Sequence, residues 1–403
     1  MPNAVVGVTE AEATAQRLLS EHGAYSPIEL LLATNSLGYE DYRAWRAGVR
    51  RTLDDALVAG VAQTRRLVED LRAWARSLHL HPDHVPFYGV EGSAGVELTA
   101  STDEILDALL HTEYRAQADR RQTDLFLDTS GMTAANELVS ALSSRRADAA
   151  KTCLERLARL DAEHWMLADA TMLVDALATP PPAGRAEALR LIAALERQWL
   201  PAASAVLRGG SRDFVTPLWR DIGTALDDGA PYDAARPKEH ASFAYSHGLD
   251  WANVRRTVGE VAHHRTEPAL LELLAEAEWR LRNRREAVAL WFALCWQAPE
   301  SFAVAVDAPR FPDRAVQKSW ERLQDQDWPG VTAAWLPAWM VLDEPGVGRA
   351  IGATGGASTP ERAFDLLLRL RAGGSDREDI DNRRALQELH PGLFDRYLAS
   401  LDA

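Results

Sequence analysis

Apolar side chains recur along the chain with helical spacing. In one stretch Leu57, Val61, Val68, Leu71 and Trp74 are three, four or seven positions apart. This spacing places them on one side of an α-helix. The alternation of apolar and polar residues that is typical of strands forms no convincing series. The pattern predicts an all-α protein.

Helix start and stop signals divide the chain into short helices. Ser26 precedes Pro27 at a predicted helix start, and Ser101 with Glu104 matches a capping box. Breaks rich in glycine or proline separate the predicted helices; they lie at residues 81–99, 179–182, 208–212, 227–237, 307–312 and 343–358. The segments between them suit helices of about 10 to 18 residues with short connections, which favours stacked antiparallel helical hairpins.

A repeat is visible in one part of the chain. A shift of 36 positions places Phe243 on Trp279 and Val254 on Leu290. A second shift fails, because it places Leu294 on Gly330. The sequence therefore predicts two adjacent repeat-like hairpins between residues 237 and 300.

The second of these hairpins resembles a tetratricopeptide repeat. The matching positions are Leu271, Leu274 and Ala275 in the first helix and Ala287, Trp291, Leu294 and Pro299 in the second. Two departures are Glu278, where the repeat has an aromatic residue, and the lack of a glycine between Arg282 and Arg285. The resemblance implies a solenoid of helix pairs, and an irregular helical bundle is the alternative. We expect an N-terminal helical region at residues 1–90 and a helical body at 100–403.

The composition of the chain indicates which classes of partner and which cellular compartment to expect. The formal net charge is −15, which disfavours nucleic acid as a partner because such proteins usually carry a basic stripe. Residues 1–12 lack a leader pattern, and no apolar run is long enough to cross a membrane. Cys153 and Cys295 are far apart in apolar patterns, so no disulfide is expected. We expect a cytoplasmic protein without a membrane contact.

Two groups of residues have the side chains of a metal site. His79, His81 and His84 are close in sequence, although Pro82 interrupts any helix between them. Glu260 and His263 form a Glu-x-x-His pair of the kind found in di-iron bundles, but no second pair occurs. A metal-dependent enzyme that uses either group is the first alternative function. A solvated helix end is the other interpretation of each group.

Cofactor motifs are missing. The glycines at Gly346, Gly348 and Gly352 follow an apparently helical segment, and no lysine follows them as a Walker loop requires. We therefore expect no nucleotide site and no cofactor.

Tryptophan is concentrated near the repeat-like segment. Seven of the 13 tryptophans fall between residues 279 and 339, namely Trp279, Trp291, Trp296, Trp320, Trp328, Trp335 and Trp339. Arginines in the same stretch are Arg280, Arg282, Arg284, Arg285, Arg310 and Arg314. Tryptophan and arginine are enriched at protein-binding hot spots, and tryptophan is also common between packed helices.

These patterns predict a protein-protein interaction scaffold or an assembly subunit. The predicted binding residues are Trp279, Trp296, Trp335, Trp339, Arg280 and Arg284. The partner is expected to be a protein. A nucleic-acid-binding helical repeat is the second alternative, because arginine faces can cluster in space despite the acidic total.

Overall fold

The structure, a computed structural model, describes most of the chain. The described residues are 7–89, 97–115, 129–308, 311–326, 328, 330–344, 346–347, 351–373 and 375–401. α-Helices dominate, which confirms the predicted all-α class. The chain divides into two compact units, Met1–Asp250 and Trp251–Ala403. The predicted division at residues 90–100 stays a prediction.

The first unit begins with short helices and a small sheet. Its first five helices are α1 (Val8–His22), α2 (Pro27–Ala33), α3 (Tyr39–Arg46), α4 (Gly60–Ser77) and α5 (Glu104–Leu110). The strands are β1 (Ala24–Tyr25), β2 (His81–His84) and β3 (Thr112–Arg115). They form an antiparallel sheet in the order β1-β3-β2. The sheet holds together three segments that are distant in sequence.

Side-chain caps fix where these helices start. Ser26 accepts a hydrogen bond from the Glu29 N–H at 3.2 Å, which confirms the predicted start of α2. The predicted box at Ser101 is wrong, since the N-cap of α5 is Asp103, which accepts from two backbone N–H groups. Ser101 instead donates to Asp54 at 2.6 Å. Asp103, two positions after Ser101, forms the cap instead, because its full negative charge lies at the positive end of the helix dipole.

Two apolar clusters form the core of this region. The first packs α2, α3 and α5 around Trp45, which is 0% exposed and donates its indole N–H to the Thr99 carbonyl at 2.9 Å. The second packs α1 and α4 against the sheet, where the rings of Tyr25 and Tyr114 stack at 5.1 Å. The N-terminal region is thus tied to residues beyond position 97 in both clusters.

Helices packed against their sequence neighbours complete the first unit. They are α6 (Thr129–Ser143), α7 (Ala147–Leu160), α8 (Leu167–Ala178), α9 (Arg185–Ala194), α10 (Leu200–Leu207), α11 (Ser211–Leu226) and α12 (Ala241–His247). A wide π turn, Leu195–Trp199, joins α9 to α10 ahead of Pro201, which cannot donate a backbone hydrogen bond. Both α9 and α10 contact α11.

The second unit is also built from neighbouring helix pairs. Its helices are α13 (Trp251–Gly259), α14 (Pro268–Arg280), α15 (Arg284–Gln297), α16 (Pro299–Asp307), α17 (Arg314–Gln324), α18 (Leu336–Asp343), α19 (Thr359–Ala372), α20 (Asp376–Leu389) and α21 (Pro391–Ala399). Capping boxes at Ser358/Glu361 and Ser375/Glu378 start α19 and α20.

The hairpin of α14 and α15 explains both departures from the tetratricopeptide pattern. Arg282 adopts a left-handed backbone with φ of 66°, in the place where a glycine would ease the turn. Glu278 is buried and accepts a hydrogen bond from the Asn283 side chain at 2.7 Å. The Asn283 N–H also donates to the Glu278 carbonyl at 2.8 Å. These two hydrogen bonds between Glu278 and Asn283 therefore stabilise the turn of the hairpin.

Within the described part of the chain, no helix combines the length and the apolar character that a bilayer crossing requires.

Candidate interaction surface

Arg280 lies between two tryptophan rings on the second unit. Its guanidinium carbon is 5.6 Å from the ring centroid of Trp251 and 5.2 Å from that of Trp279. Trp251 opens α13 and Trp279 is in the last turn of α14, so the packing of these two helices brings the Trp251 ring to Arg280. All three residues are partly exposed. We call this arrangement, Trp251, Trp279 and Arg280, the tryptophan clamp.

Charged neighbours set the electrostatics of the clamp. Glu276, one helical turn before Arg280, is 3.3 Å from its guanidinium. Arg255, one turn after Trp251, is half exposed and only approaches Glu278 at 3.9 Å. Residues 251–285 hold seven arginines and five glutamates, a formal charge of +2 in a chain of −15. The clamp therefore lies in a locally basic stretch of an acidic protein.

Two of the three clamp residues were predicted from the sequence. Trp279 and Arg280 were among the predicted binding residues, whereas Trp251 was not. Trp251 precedes the tryptophan-rich stretch by 28 positions, so the concentration of tryptophans does not point to it. The pairing of α13 with α14 brings it next to Arg280.

Trp296 lies in an aromatic group away from these residues in sequence. Its ring centroid is 6.1 Å from that of Phe292 and 5.4 Å from that of Phe364. The side chain is partly buried, and its indole N–H is enclosed without a hydrogen-bond partner among the described residues. Its contacts with Phe292 on α15 and Phe364 on α19 indicate that Trp296 packs these two helices together.

Trp335 and Trp339 belong to a third aromatic group. His390 lies 4.8 Å from the ring centroid of Trp328 and 4.4 Å from that of Trp335. Trp339 lies 5.6 Å from Trp328, and the guanidinium of Arg396 lies 5.3 Å from the Trp339 ring centroid. These ring contacts hold the start of α21 against the start of α18.

Exposure differs within this third group. Trp339 is 2% exposed, and within the part of the chain that the structure describes its buried indole N–H has no hydrogen-bond partner, whereas Trp335 is only partly buried. A side chain as buried as Trp339 is not available to a partner in this structure. Burial also lowers the pKa of His390, which caps α21 by accepting the Leu393 N–H at 3.0 Å.

The other predicted arginines have different surroundings. Arg284 donates to Asp313 at 2.7 Å and approaches Glu344 at 3.9 Å, so it joins α15 to α17. The pKa of the Arg284 guanidinium is raised. Burial has the largest single effect and lowers this pKa, but the contacts with Asp313 outweigh burial. Arg282 and Arg285 are exposed. Arg310 lies outside the described residues.

The three histidines of the first metal hypothesis have separate environments. His79 is exposed in the turn after α4, and His81 approaches Asp83 at 3.1 Å. His84 approaches Glu97 at 3.0 Å. Residues 81–84 form strand β2 and not the end of a helix, because they pair with β3.

The Glu260 and His263 pair also departs from its expected geometry. α13 ends at Gly259, so neither residue is on a helix. Both side chains are exposed, and Glu260 pairs with Arg256 at 3.1 Å. Among the residues that the structure describes, no three histidine, cysteine, aspartate or glutamate side chains are grouped so that they could hold a metal ion.

A polar junction in the first unit was not predicted from the sequence. Arg46 donates to Tyr42 at 2.9 Å and to Asp213, and Tyr42 donates to Asp213 at 2.8 Å. Arg212 pairs with Glu29 at 2.5 Å beside them. The junction joins α2 and α3 to α11, and each acid in it has a basic partner. A sequence signal existed, since Arg46 is four positions after Tyr42 and therefore lies on the same face of α3.

Comparisons with known proteins assign no relationship. No protein-family model matches the chain, and neither curated proteins nor solved structures give a significant match.

Proposed function

We propose that this chain is a protein-interaction scaffold that binds an acidic segment of a protein partner at the tryptophan clamp. The observation that supports the proposal is the position of Arg280 between the rings of Trp251 and Trp279. A guanidinium held between two rings is already ordered, so binding costs less conformational entropy than it does for a free arginine. The indoles supply apolar area beside the charge.

Charge supports an acidic segment as the occupant. Arg255 is half exposed and approaches Glu278 only at 3.9 Å among the described residues, and the 251–285 stretch is basic overall. Carboxylates on the partner would complement Arg255 and Arg280, and the flat indoles would accept its apolar side chains. The partial exposure of all three clamp residues allows this contact.

The tetratricopeptide resemblance is part of the same proposal. In arrays of helix pairs, one helix of each pair lines a concave surface that recognises extended segments. The α14–α15 hairpin has the helix lengths and close packing of such a pair. We place this scaffold in the cytoplasm, where its cysteines would remain reduced.

A site-directed crosslink tests the proposal. A photoreactive phenylalanine derivative replaces Ala252, which is exposed next to Trp251. After irradiation in the native cell, the crosslinked protein and peptide are identified by mass spectrometry. We expect a peptide rich in aspartate or glutamate, and its synthetic form is then titrated against the full chain.

Substitutions of clamp residues test whether the tryptophan clamp provides the binding affinity. Arg280→Ala and Trp279→Ala should each weaken peptide binding by about 30-fold or more, since hot-spot truncations cost at least about 2 kcal/mol. Arg265→Ala is the matched control, because Arg265 is an exposed arginine of the same basic stretch whose guanidinium pairs with Glu286 at 3.5 Å. Equal affinity in the Arg280→Ala and Arg265→Ala proteins, both folded, would show that the clamp is not the binding site.

A further inference from the structure

Trp165 is the most exposed tryptophan in the described part of the chain. It is 54% exposed in the turn between α7 and α8, whereas the other tryptophans are buried or partly buried. Its ring stacks on that of His164 with 5.9 Å between centroids, and the next residue, Met166, is buried. Met166 therefore anchors the turn, while Trp165 faces solvent. An indole in this position adds little to the core and is available to a partner.

Two further apolar side chains are exposed at the same end of the α6–α7 hairpin. Met132, in the first turn of α6, is 49% exposed, and Leu160, the last residue of α7, is 43% exposed. An ion pair between Glu137 and Arg156 at 2.9 Å shows how the two antiparallel helices are aligned. Met132 is five positions before Glu137. Leu160 is four positions after Arg156, so both side chains lie about 6 to 8 Å beyond the ion pair in the same direction.

We call these three residues, Met132, Leu160 and Trp165, the Trp165 patch. Exposed apolar side chains that are scattered singly are ordinary on protein surfaces. A group of them that includes a tryptophan is typical of an interaction site.

Negative charge accompanies the patch. Asp161 and Glu163 are exposed immediately before Trp165. Residues 161–184 contain four carboxylates and no lysine or arginine, a formal charge of −4. The preceding basic residue, Arg159, turns back along α7, where its Nε donates to a backbone carbonyl at 3.2 Å. The patch therefore combines apolar area with a local excess of negative charge.

This combination favours a basic segment of a protein partner as the occupant. The face of an indole attracts a guanidinium or an ammonium group. Carboxylates beside the ring complement the same cations, and Met132 and Leu160 can contact the apolar stems of arginine and lysine side chains. The net charge of −15 also attracts a basic segment. A second copy of this chain would bring another charge of −15, which disfavours self-association at this surface.

We propose that the Trp165 patch binds a basic segment of a protein partner, with Trp165 as the cation-binding anchor and Asp161 and Glu163 as its acidic rim. The patch belongs to the first unit and the tryptophan clamp to the second. The two surfaces prefer segments of opposite charge, so each can be tested without the other.

Selection from a random peptide library displayed on phage tests the occupant. The full-length wild type and full-length Trp165→Ala are used in parallel, and peptides that bind only the wild type are sequenced. We expect these peptides to be rich in arginine and lysine beside apolar residues. Trp165→Ala should keep the wild-type melting temperature, because the ring is exposed. Peptides that are lost in Arg280→Ala report on the clamp instead. The absence of Trp165-dependent peptides, or an acidic or uncharged set, overturns the proposal.

Charge substitutions then test the acidic rim with a selected peptide. Asp161→Asn keeps the oxygen that accepts the Glu163 N–H at 3.2 Å, and Glu163→Gln keeps the side-chain size. The double variant should bind the peptide roughly tenfold more weakly and depend less on salt, since salt screens exposed charges. Asp175→Asn, an exposed acid in the last turn of α8, is the matched control and should bind like the wild type. Equal affinity in the double variant and this control contradicts the proposed rim.

Sedimentation equilibrium of the wild type without peptide tests the competing occupant. We expect no self-association that depends on Trp165. A dimer or larger assembly that dissociates in Trp165→Ala would identify a second copy of the chain as the occupant and overturn the proposal.

Discussion

Arg46 and Asp213 form an ion pair although 167 positions separate them in the sequence. Only 7% of the Arg46 side chain and 14% of the Asp213 side chain are exposed. The pair therefore joins α3 to α11 through charges that have lost most of their hydration. Such a pair constrains the structure strongly, because either charge alone would be buried without compensation.

Replacing Asp213 by alanine should destabilise the first unit severely. The change leaves Arg46 buried without its carboxylate and removes the acceptor for the Tyr42 hydroxyl. Breaking a buried pair in this way costs about 3 to 5 kcal/mol of unfolding free energy. Urea denaturation followed by circular dichroism measures the change.

Asp175→Ala is the matched control for this prediction. Asp175 is exposed on α8 in the same unit, so its replacement should change the unfolding free energy by less than about 0.5 kcal/mol. A loss below about 1 kcal/mol in Asp213→Ala would mean that solvent reaches the junction and screens it.

Glu29 should make stability depend on pH near neutrality. Burial raises its pKa to about 7, with Arg212 opposing the shift. The folded protein thus holds this proton more tightly than the unfolded chain, whose carboxyl titrates near 4.5. The resulting stabilisation is complete below that lower value and is lost as the pH rises through about 7.

The measurement is the unfolding free energy from about pH 5 to about pH 8. We expect a decline on the order of 1 to 3 kcal/mol in the wild type and a flatter profile in Glu29→Gln, which cannot ionise. Identical slopes in the two proteins would assign the pH dependence to other groups.

The two tryptophans on either side of Pro337 should differ in their effect on stability. Trp339 is 2% exposed, so Trp339→Ala should cost about 3 to 5 kcal/mol of unfolding free energy. Trp335 is partly exposed against His390, and its truncation should cost clearly less. Thermal melts of both variants check the order, and equal melting temperatures would contradict it.

The two cysteines should react differently with a thiol reagent. Cys295 is 0% exposed, and burial raises the pKa of its thiol well above the usual value. Cys153 is partly exposed, and burial followed by the charge of Glu137 raises its pKa. Native protein should react slowly at Cys153 and not at Cys295, while unfolded protein reacts at both. Rapid modification of two thiols in the native state would contradict this prediction.

Local signals in the sequence predicted much of the fold. Helix starts at Pro27, Thr359 and Asp376 depend on side chains one to three residues away, so they can be predicted from a short stretch. The exception is α5, where Ser101 and Asp103 both suit an N-cap and the sequence pattern favoured the wrong one.

Contacts between distant residues could not be predicted in the same way. The Trp251 side of the clamp depends on how α13 packs against α14, and the Arg46–Asp213 pair depends on α3 meeting α11. The strand at His81–His84 exists because β3 provides its partner. Periodicity describes which face of a helix is buried, but it does not identify the element that covers that face.

The π turn between α9 and α10 accommodates one residue more than an α-helical turn would. Leu195–Trp199 holds more residues per turn than an α-helix does, and both α9 and α10 reach α11. Deleting one residue there would restore α-helical winding and keep α9 and α10 in nearly the same relative rotation. Ala188 and Ile192, now buried, would keep the direction of their contacts. A residue deleted from the α-helical part of α9 or α10 would instead rotate the positions beyond it by about 100°.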